Sequence, residues 1–548
     1  MKRIYLNFFT LIIFHFLFSC TSETIQLTND QISAIDSVLY IDVPAGAPGL
    51  AIGIVQNGQV IYEKYAGYAN LTDSTLLDHN SRFNIASNGK QFTALVVVTL
   101  LEQGKLDLDD NIQNYLPEIY SDKFVNITVR DLINHTSGIR DIYDLWALQD
   151  KVWWKVSSSN PDVIKLLSRQ QDLNFEPSTE YSYSNSNYIL LTEIIARVTG
   201  KSFRTYSDEL FNDLGMANTS FESDHTTIRG DIAKPYFNFD SWFNYDWITD
   251  VHGDGALFST LVDQLHWESI IQTNKSYPIS ADLIEMSQNS IPGSKFENYG
   301  FGLEFGEYNG INLRYHEGAT GALKAVMYRF PERKLSIITL TNSGKVGPVQ
   351  TTQAIADILL GTEIKKESYL TEPDKIGAHV ELSDITGTYQ YGEDGGLFKF
   401  VDRDGELFLL RYGRNDTKLL RESANVFHQW NDPAFKLEFT RAYDSNMIVT
   451  AYYHEPAPFS LTRIQADFTG YNFEAIEGNF KNIELDVQLT AKYIGNRMYN
   501  FTLGEDQYTI EMLKPNFLKM GNYTIIFADN SDILLSSGRI QNIRFIIE

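Results

Sequence analysis

"FNIASNGKQFTALVVVTLLEQGKL", residues 83–106, sets Ser87 and Lys90 three positions apart at the start of a strongly apolar segment. Phe92, Leu95, Val96, Thr99 and Leu100 recur at helical spacing, and Gly104 closes the pattern. On a helix, residues three apart share a face, so the lysine amine is carried beside the serine hydroxyl. A serine in the first turn also has its oxygen near the positive end of the helix dipole. Chance supplies such a spacing about once or twice in a chain of this size, and a polar helix cap explains it equally well. Ser87-Asn88-Gly89-Lys90 is nevertheless the only Ser-x-x-Lys in the sequence.

Two further elements follow it. Tyr183-Ser184-Asn185 lies in "FEPSTEYSYSNSNYILLTEIIARVTGKSF" (175–203), just ahead of an amphipathic helical pattern, where a loop presents side chains to a cleft. Tyr-x-Asn also occurs at Tyr5, Tyr68 and Tyr236, so the triplet by itself carries little. A lysine ammonium beside the Tyr183 phenol is expected to pull its pKa down from about 10, towards use as a general base. His316-Glu317-Gly318, the only His-x-Gly in the chain, precedes Ala319 and a strand. On an edge strand facing the serine, a cation or donor there would hold a substrate carboxylate or carbonyl. The backbone would supply an oxyanion-hole N–H.

In this order, Ser87-x-x-Lys90, Tyr183-x-Asn185 and His316-x-Gly318 resemble the class C β-lactamase and DD-peptidase superfamily of penicillin-recognising serine hydrolases. The phrases "LINHTSGI" (132–139), "GDGALFSTLVDQLHW" (253–267) and "YGFGLEF" (299–305) share that texture, and the resemblance spans about residues 30–360. It implies Ser87 as the acylated nucleophile, Lys90 as its activating partner and Tyr183 as the proton shuttle to the leaving group. Asn185 would hold the substrate amide, with His316 and Gly318 lining the binding strand. The backbone N–H groups of Ser87 and Ala319 would form the oxyanion hole. No metal or organic cofactor is implied.

One departure bears on substrate. Relatives commonly carry Lys-Thr-Gly or Lys-Ser-Gly where this chain has His316-Glu317-Gly318. A partly charged histidine beside Glu317 weakens the case for holding a substrate carboxylate, and so for penicillin hydrolysis. The resemblance favours D-amino-acid-directed peptidases and esterases. The expected substrate is a small peptide, amide or ester, with amide bonds of D-amino-acid-containing, cell-wall-like compounds foremost. A carboxylesterase or β-lactamase of the same fold is one alternative; a catalytically silent ligand-binding or sensor lipoprotein is another.

Strand patterns at both ends of a helical middle predict an α+β domain whose sheet joins its two termini. "GAPGLAIGIVQNGQVIYEKYAGYAN" (46–70) turns at Asn57-Gly58, and "LKAVMYRFPERKLSIITLTNSG" (323–344) turns at Pro331-Glu332. After about Lys366 helical periodicity gives way to short alternating strands. Gly387 and Gly478, each followed two residues on by an aromatic (Tyr389, Phe480), open two similar stretches. The fold expected is a β-lactamase/transpeptidase-like domain, an antiparallel sheet plus a helical region, followed by two small antiparallel β-barrels. The layout is similar to that of bacterial D-aminopeptidases, in which the appended barrels shape access to the site. The boundaries expected are 1–20, 21–365, 366–465 and 466–548.

Residues 1–20 read as an export signal: Lys2 and Arg3, an apolar run from Ile4 to Phe18, then Ser19-Cys20. Cys20 is the only cysteine, and Leu17-Phe18-Ser19-Cys20 resembles a bacterial lipobox, implying lipidation and a membrane anchor on the periplasmic or cell-surface side. A cleaved signal that happens to end in cysteine is the plainer alternative. A net charge of −25, from 45 basic and 70 acidic residues, argues against a nucleic-acid partner. His135 in "NHTSG" is taken as a structural turn residue, and the aromatic stretch 236–250 as a cleft wall or a packed flap.

Overall fold

The computed structural model describes residues 26–548 apart from 121–125, 275–278, 362–378, 392–396, 411–415, 431, 443–445, 453–458 and 529–531; Cys20 and the apolar N-terminal run lie outside the described residues. A seven-stranded antiparallel sheet runs in the order Tyr299–Gly300, Leu303–Tyr308, Ile311–Thr320, Leu323–Phe330, Leu335–Thr341, Leu50–Gln56, Gln59–Ala66. The first strand in the chain is thus zipped to the last, from Leu50 opposite Thr341 to Gln56 opposite Leu335. The Asn57-Gly58 turn adopts positive φ at both residues (51° and 75°), the backbone that a two-residue hairpin demands.

The two inner strands, Leu335–Thr341 and Leu50–Gln56, are buried over nearly their whole length, so both faces of the sheet are covered. On one face the helices Asn29–Asp42 and Pro348–Leu360 pack Ile35, Leu39 and Ile355 against Ile52, Val326 and Ile337. On the other lies the helical region around the Lys90–Glu102 helix, whose residues from Lys90 to Leu100 are all buried. A helix apolar on every side belongs at the centre of a domain, which explains why its pattern is so uniformly hydrophobic.

The C-terminal strands close into two eight-stranded barrels. Tyr389 pairs with Arg463 to shut the first, and Phe480 with Ile547 to shut the second. Gly387 and Gly478 each open the first strand of a barrel, and the aromatics two residues on point into the two cores. The barrels differ in attachment. The first has a core of its own, whereas apolar residues of the second are continuous with the core around Phe92.

A buried ion pair ties the sheet to the helix Leu261–Thr273: Arg329 meets Glu268 through Nε–Oε2 at 2.8 Å and Nη2–Oε1 at 2.6 Å. Removing one partner leaves the other charged and dry. Arg329→Leu is therefore expected to cost about 3–5 kcal/mol in urea denaturation, and Arg329→Leu/Glu268→Leu to recover most of it. A single variant as stable as the double would show that the pair carries no such load.

Candidate active site

The turn that holds Ser87 is built by its neighbours. Strand Arg82–Asn84 pairs with Leu257–Thr260, and Ile85 N donates to Leu257 O at 2.9 Å. Ala86 then takes φ 49°, a left-handed value costly for a residue with a Cβ, and its N–H is held by Asn84 Oδ1 at 2.9 Å. Ser87 follows in a 3-10 turn, Ala86–Gly89, that runs straight into the Lys90–Glu102 helix. Of residues 81 to 100, Ser87 alone is not fully buried.

Lys90 is completely buried, and its Nζ reaches three oxygens: Ser87 Oγ at 3.1 Å, Asn185 Oδ1 at 2.9 Å and Asp254 O at 2.6 Å. Its Nζ also lies over the rings of Tyr183 (4.9 Å) and Tyr188 (5.7 Å). Burial disfavours the ammonium more than the nearby Asp254 and Asp141 favour it, so its pKa is pushed down to about 8. With the carbonyl of Asp254 and the amide oxygen of Asn185 each taking one N–H, the lone pair of the neutral amine faces the serine.

Tyr183 stands on the loop before the Asn185–Thr199 helix, hydrogen-bonded with the Ser87 hydroxyl. The expected lowering of its pKa is corrected. Burial dominates and drives the phenol well above its usual value, with the serine hydrogen bond a smaller opposing influence. Tyr183 is therefore a neutral phenol, and Lys90 the group poised to accept a proton near neutrality.

The His316 expectation is also corrected. Its place is as expected, since the outer neighbour Leu303–Tyr308 pairs with strand Ile311–Thr320 only as far as Tyr315, and His316–Thr320 pair on one side alone, with Leu323–Met327; its charge is not. Burial first, then the Lys90 charge, holds the imidazole at about 3, so it is neutral rather than cationic. Nδ1 lies 2.7 Å from Glu317 O and Nε2 3.3 Å from the Tyr299 hydroxyl. The carbonyl can only accept, which assigns the proton to Nδ1 and leaves Nε2 to accept from Tyr299. Gly318 faces the Ser87 turn so closely that a Cβ there would lie 2.3 Å from Ile85 O and 3.0 Å from Ser87 N. Ala319, next along the strand, is exposed.

Asn185 is committed at both ends of its amide. Oδ1 accepts from Lys90, while Nδ2 and the backbone N donate to Asp141 Oδ2 at 2.9 and 2.7 Å. Sequence reasoning missed Asp141 and also Asp254, whose buried carboxyl is hydrogen-bonded with Tyr143. Burial raises the pKa of both carboxyls, against the opposing pull of Arg539 on Asp141 and of Lys90 on Asp254. Both sit in or beside phrases singled out for texture, "LINHTSGI" and "GDGALFS", and buried acids there were a usable signal. Arg539 had none, being 395 residues from its partner Asp144. His135 is buried in its turn at φ 58°, accepts from Ser184 N, and packs its ring 4.4 Å from that of Tyr183. The 236–250 stretch forms a wall in which Tyr245 donates to Thr320 O and accepts from Ala322 N. Among the described residues, the one group with metal-ligand spacing is Asp224, His225 and Asp250, none of which is among the residues named around Ser87.

The model of the family described as Beta-lactamase matches residues 40–361, a span that holds every one of these positions except Arg539. The chain belongs to the Beta-lactamase family. It is 27% identical over 345 residues to Protein flp of Staphylococcus aureus strain MRSA252, covering 58% of this chain and 64% of that protein; the match thus spans less than two thirds of the relative's length. It is 27% identical over 391 residues to a D-aminopeptidase of Brucella anthropi, covering 68% of this chain and 71% of that protein. The octameric penicillin-binding protein homologue from Pyrococcus abyssi superposes with a TM-score of 0.56 at 23% identity, covering 79% of this chain and 99% of that one, which shows the shared β-lactamase fold.

The close approach of strand and nucleophile turn makes a test. Gly318→Ala is expected to push the strand off the Ser87 turn and cut labelling of Ser87 by a fluorophosphonate at least about tenfold, while the fold survives by circular dichroism. Labelling at the wild-type rate would show that the strand has room to give.

Proposed function

We propose that this chain is a serine hydrolase that works through an acyl-enzyme on Ser87 and cleaves amide bonds of substrates carrying a D-amino acid. The observation that carries this reading is the Lys90 amine, 3.1 Å from Ser87 Oγ and with its pKa pushed down to about 8. Neutral Lys90 takes the serine proton as Oγ attacks the carbonyl carbon. The backbone N–H groups of Ser87 and Ala319 receive the developing oxyanion, and the neutral Tyr183 phenol relays a proton to the departing amine. Water then enters by the same route and releases the acyl group.

The neutral His316 supports the choice of substrate. It offers no positive charge to a carboxylate next to the scissile bond, which favours substrates without one there. The D-aminopeptidase of Brucella anthropi, similar over 391 residues, supports a D-amino-acid amide or peptide over a penicillin. Export with a lipid on Cys20, and cell-wall-derived peptides as natural substrates, complete the proposal.

A D-alanyl or D-phenylalanyl p-nitroanilide should be turned over faster than its L-isomer, and Ser87→Ala should abolish both turnover and the fluorophosphonate adduct. Turnover that survives Ser87→Ala, or preference for simple p-nitrophenyl esters with no D-amide cleaved, would overturn it. The rate of Ser87 labelling should be flat above pH about 8 and fall about tenfold per unit below it, because protonating Lys90 removes the base. A rate that rises as pH falls would exclude Lys90 from that role.

A further inference from the structure

Arg539 sits at the tip of the hairpin between strands Ile533–Ser537 and Ile540–Ile547 of the second barrel, where Gly538 turns the chain at φ 43°. This tip docks on the hydrolase region rather than on its own barrel. Arg539 Nη1 meets Asp141 Oδ2 at 3.1 Å, and Nη2 meets Asp144 Oδ1 at 3.0 Å. Its backbone N donates to Asp144 Oδ2, and its carbonyl accepts from Asp141 N and from Asn174 Nδ2 at 2.9 Å. The Asp141 side chain is wholly buried. The same Asp141 Oδ2 accepts from Asn185, whose Oδ1 in turn holds Lys90 Nζ. Four residues, one of them from the far end of the chain, form a continuous line to the amine beside Ser87.

The order of charges along this line matters. An ionised carboxylate only accepts, so Asp141 fixes the Asn185 amide with its NH2 towards Asp141 and its oxygen towards Lys90. A protonated Asp141 would lose that selectivity, and the amide could turn its NH2 towards the lysine. Asp141 Oδ1 accepts from Tyr143 N and Asp144 N at 3.0 and 3.4 Å, which favours the ionised form, and a counter-charge must add to these bonds to offset complete burial. Among the described ion pairs, Arg539 supplies the one that reaches Asp141.

We propose that Arg539 is a positioning residue of the hydrolase site: by keeping Asp141 ionised it orients Asn185, and Asn185 orients the Lys90 amine towards Ser87. The second barrel thereby completes the active site electrostatically, without touching the reacting atoms. This rests on Ser87 and Lys90 acting as set out above.

The charged and titratable groups that face these residues enter the test. Around Asp141 they are Arg539, Asp144, Lys90 and Tyr143. Around Lys90 they are Asp254, Asp141 and Arg539, with the two histidines His135 and His316 and the rings of Tyr183 and Tyr188. Tyr183 also faces Arg539.

In full-length Arg539→Gln, the rate of Ser87 labelling by a fluorophosphonate should fall at least about tenfold at pH 7 and recover towards wild type as the pH is raised and Asp141 ionises without its partner. With a D-amino-acid p-nitroanilide the loss should appear in kcat and leave KM within about twofold. Arg539→Lys should retain most of the rate at pH 7. Asn174→Ala loosens the docked hairpin but leaves the guanidinium against Asp141, and should keep the wild-type pH profile. Should Arg539→Gln fail to fold, Asp141→Asn serves instead, with a loss that raising the pH does not rescue. A loss in Arg539→Gln that persists at high pH or falls in KM would overturn the proposal, as would an Asn174→Ala profile matching that of Arg539→Gln or a fully active Asp141→Asn. Wild-type protein unlabelled at Ser87 would instead sink the acyl-enzyme reading itself.

Discussion

A lysine amine with no access to water is the constraint around which this molecule is arranged. Burying an ammonium is costly unless its protons find acceptors, and Lys90 finds three oxygens on three separated pieces of chain. One lies on its own helix start, one at the head of the Asn185–Thr199 helix, and one in the loop that precedes strand Leu257–Thr260. Pairing of that strand with Arg82–Asn84 draws the Asp254 loop to the Ser87 turn. The topology of the helical region follows from bringing these three acceptors together.

Close approach is the second condition, and glycine meets it at two places along residues 85–91, both from the seven-stranded sheet. Gly318 abuts the Ser87 turn from the sheet side. Gly302, at φ 79°, lies where a Cβ would come 2.3 Å from Gln91 N. Both lie in segments noticed in the sequence, "HEG" and "YGFGLEF", and both let backbone lie against backbone where any side chain would hold the strand or loop away. The strained φ of Ala86 belongs to the same crowding, since it turns Ser87 out of an otherwise fully buried stretch.

What the sequence made legible divides along physical lines. Local patterns carried the fold: the Asn57-Gly58 hairpin, the uniformly apolar helix after Ser87, and the alternation that becomes two barrels. Motif order carried the assembly of Ser87, Lys90, Tyr183, Asn185 and Gly318 in one place. The ionisation states were illegible because they depend on burial. Proximity to Lys90 was expected to lower the Tyr183 pKa, yet removal from water raises it, against the smaller opposing influences of the Ser87 hydrogen bond and Arg539. His316 reads as half-charged in isolation but is neutral when its ring is enclosed. Arg539 was beyond reach for another reason, since no local spacing relates the tip of a barrel hairpin to an aspartate nearly 400 residues earlier.

That long-range contact also explains why the two barrels are not equivalent. The first keeps a closed core, and Lys399–Glu511 at 3.5 Å is a part-exposed ion pair between the barrels, of a kind that contributes little. The second shares its core with the Beta-lactamase-family region and adds part-buried polar contacts: Arg140 with Glu484 at 2.9 Å, and Gln149 with the carbonyl of Leu485 at 2.8 Å. Take the second barrel away, and Arg140 and Asp141, adjacent in sequence and both almost wholly buried, would each lose the ionic partner that the barrel supplies. The two side chains are held by different partners in the rest of the chain, Arg140 by Gln170 and Asp141 by Asn185. The helical region around Lys90 and the second barrel therefore share one core and one set of buried charges, whereas the first barrel keeps a core of its own.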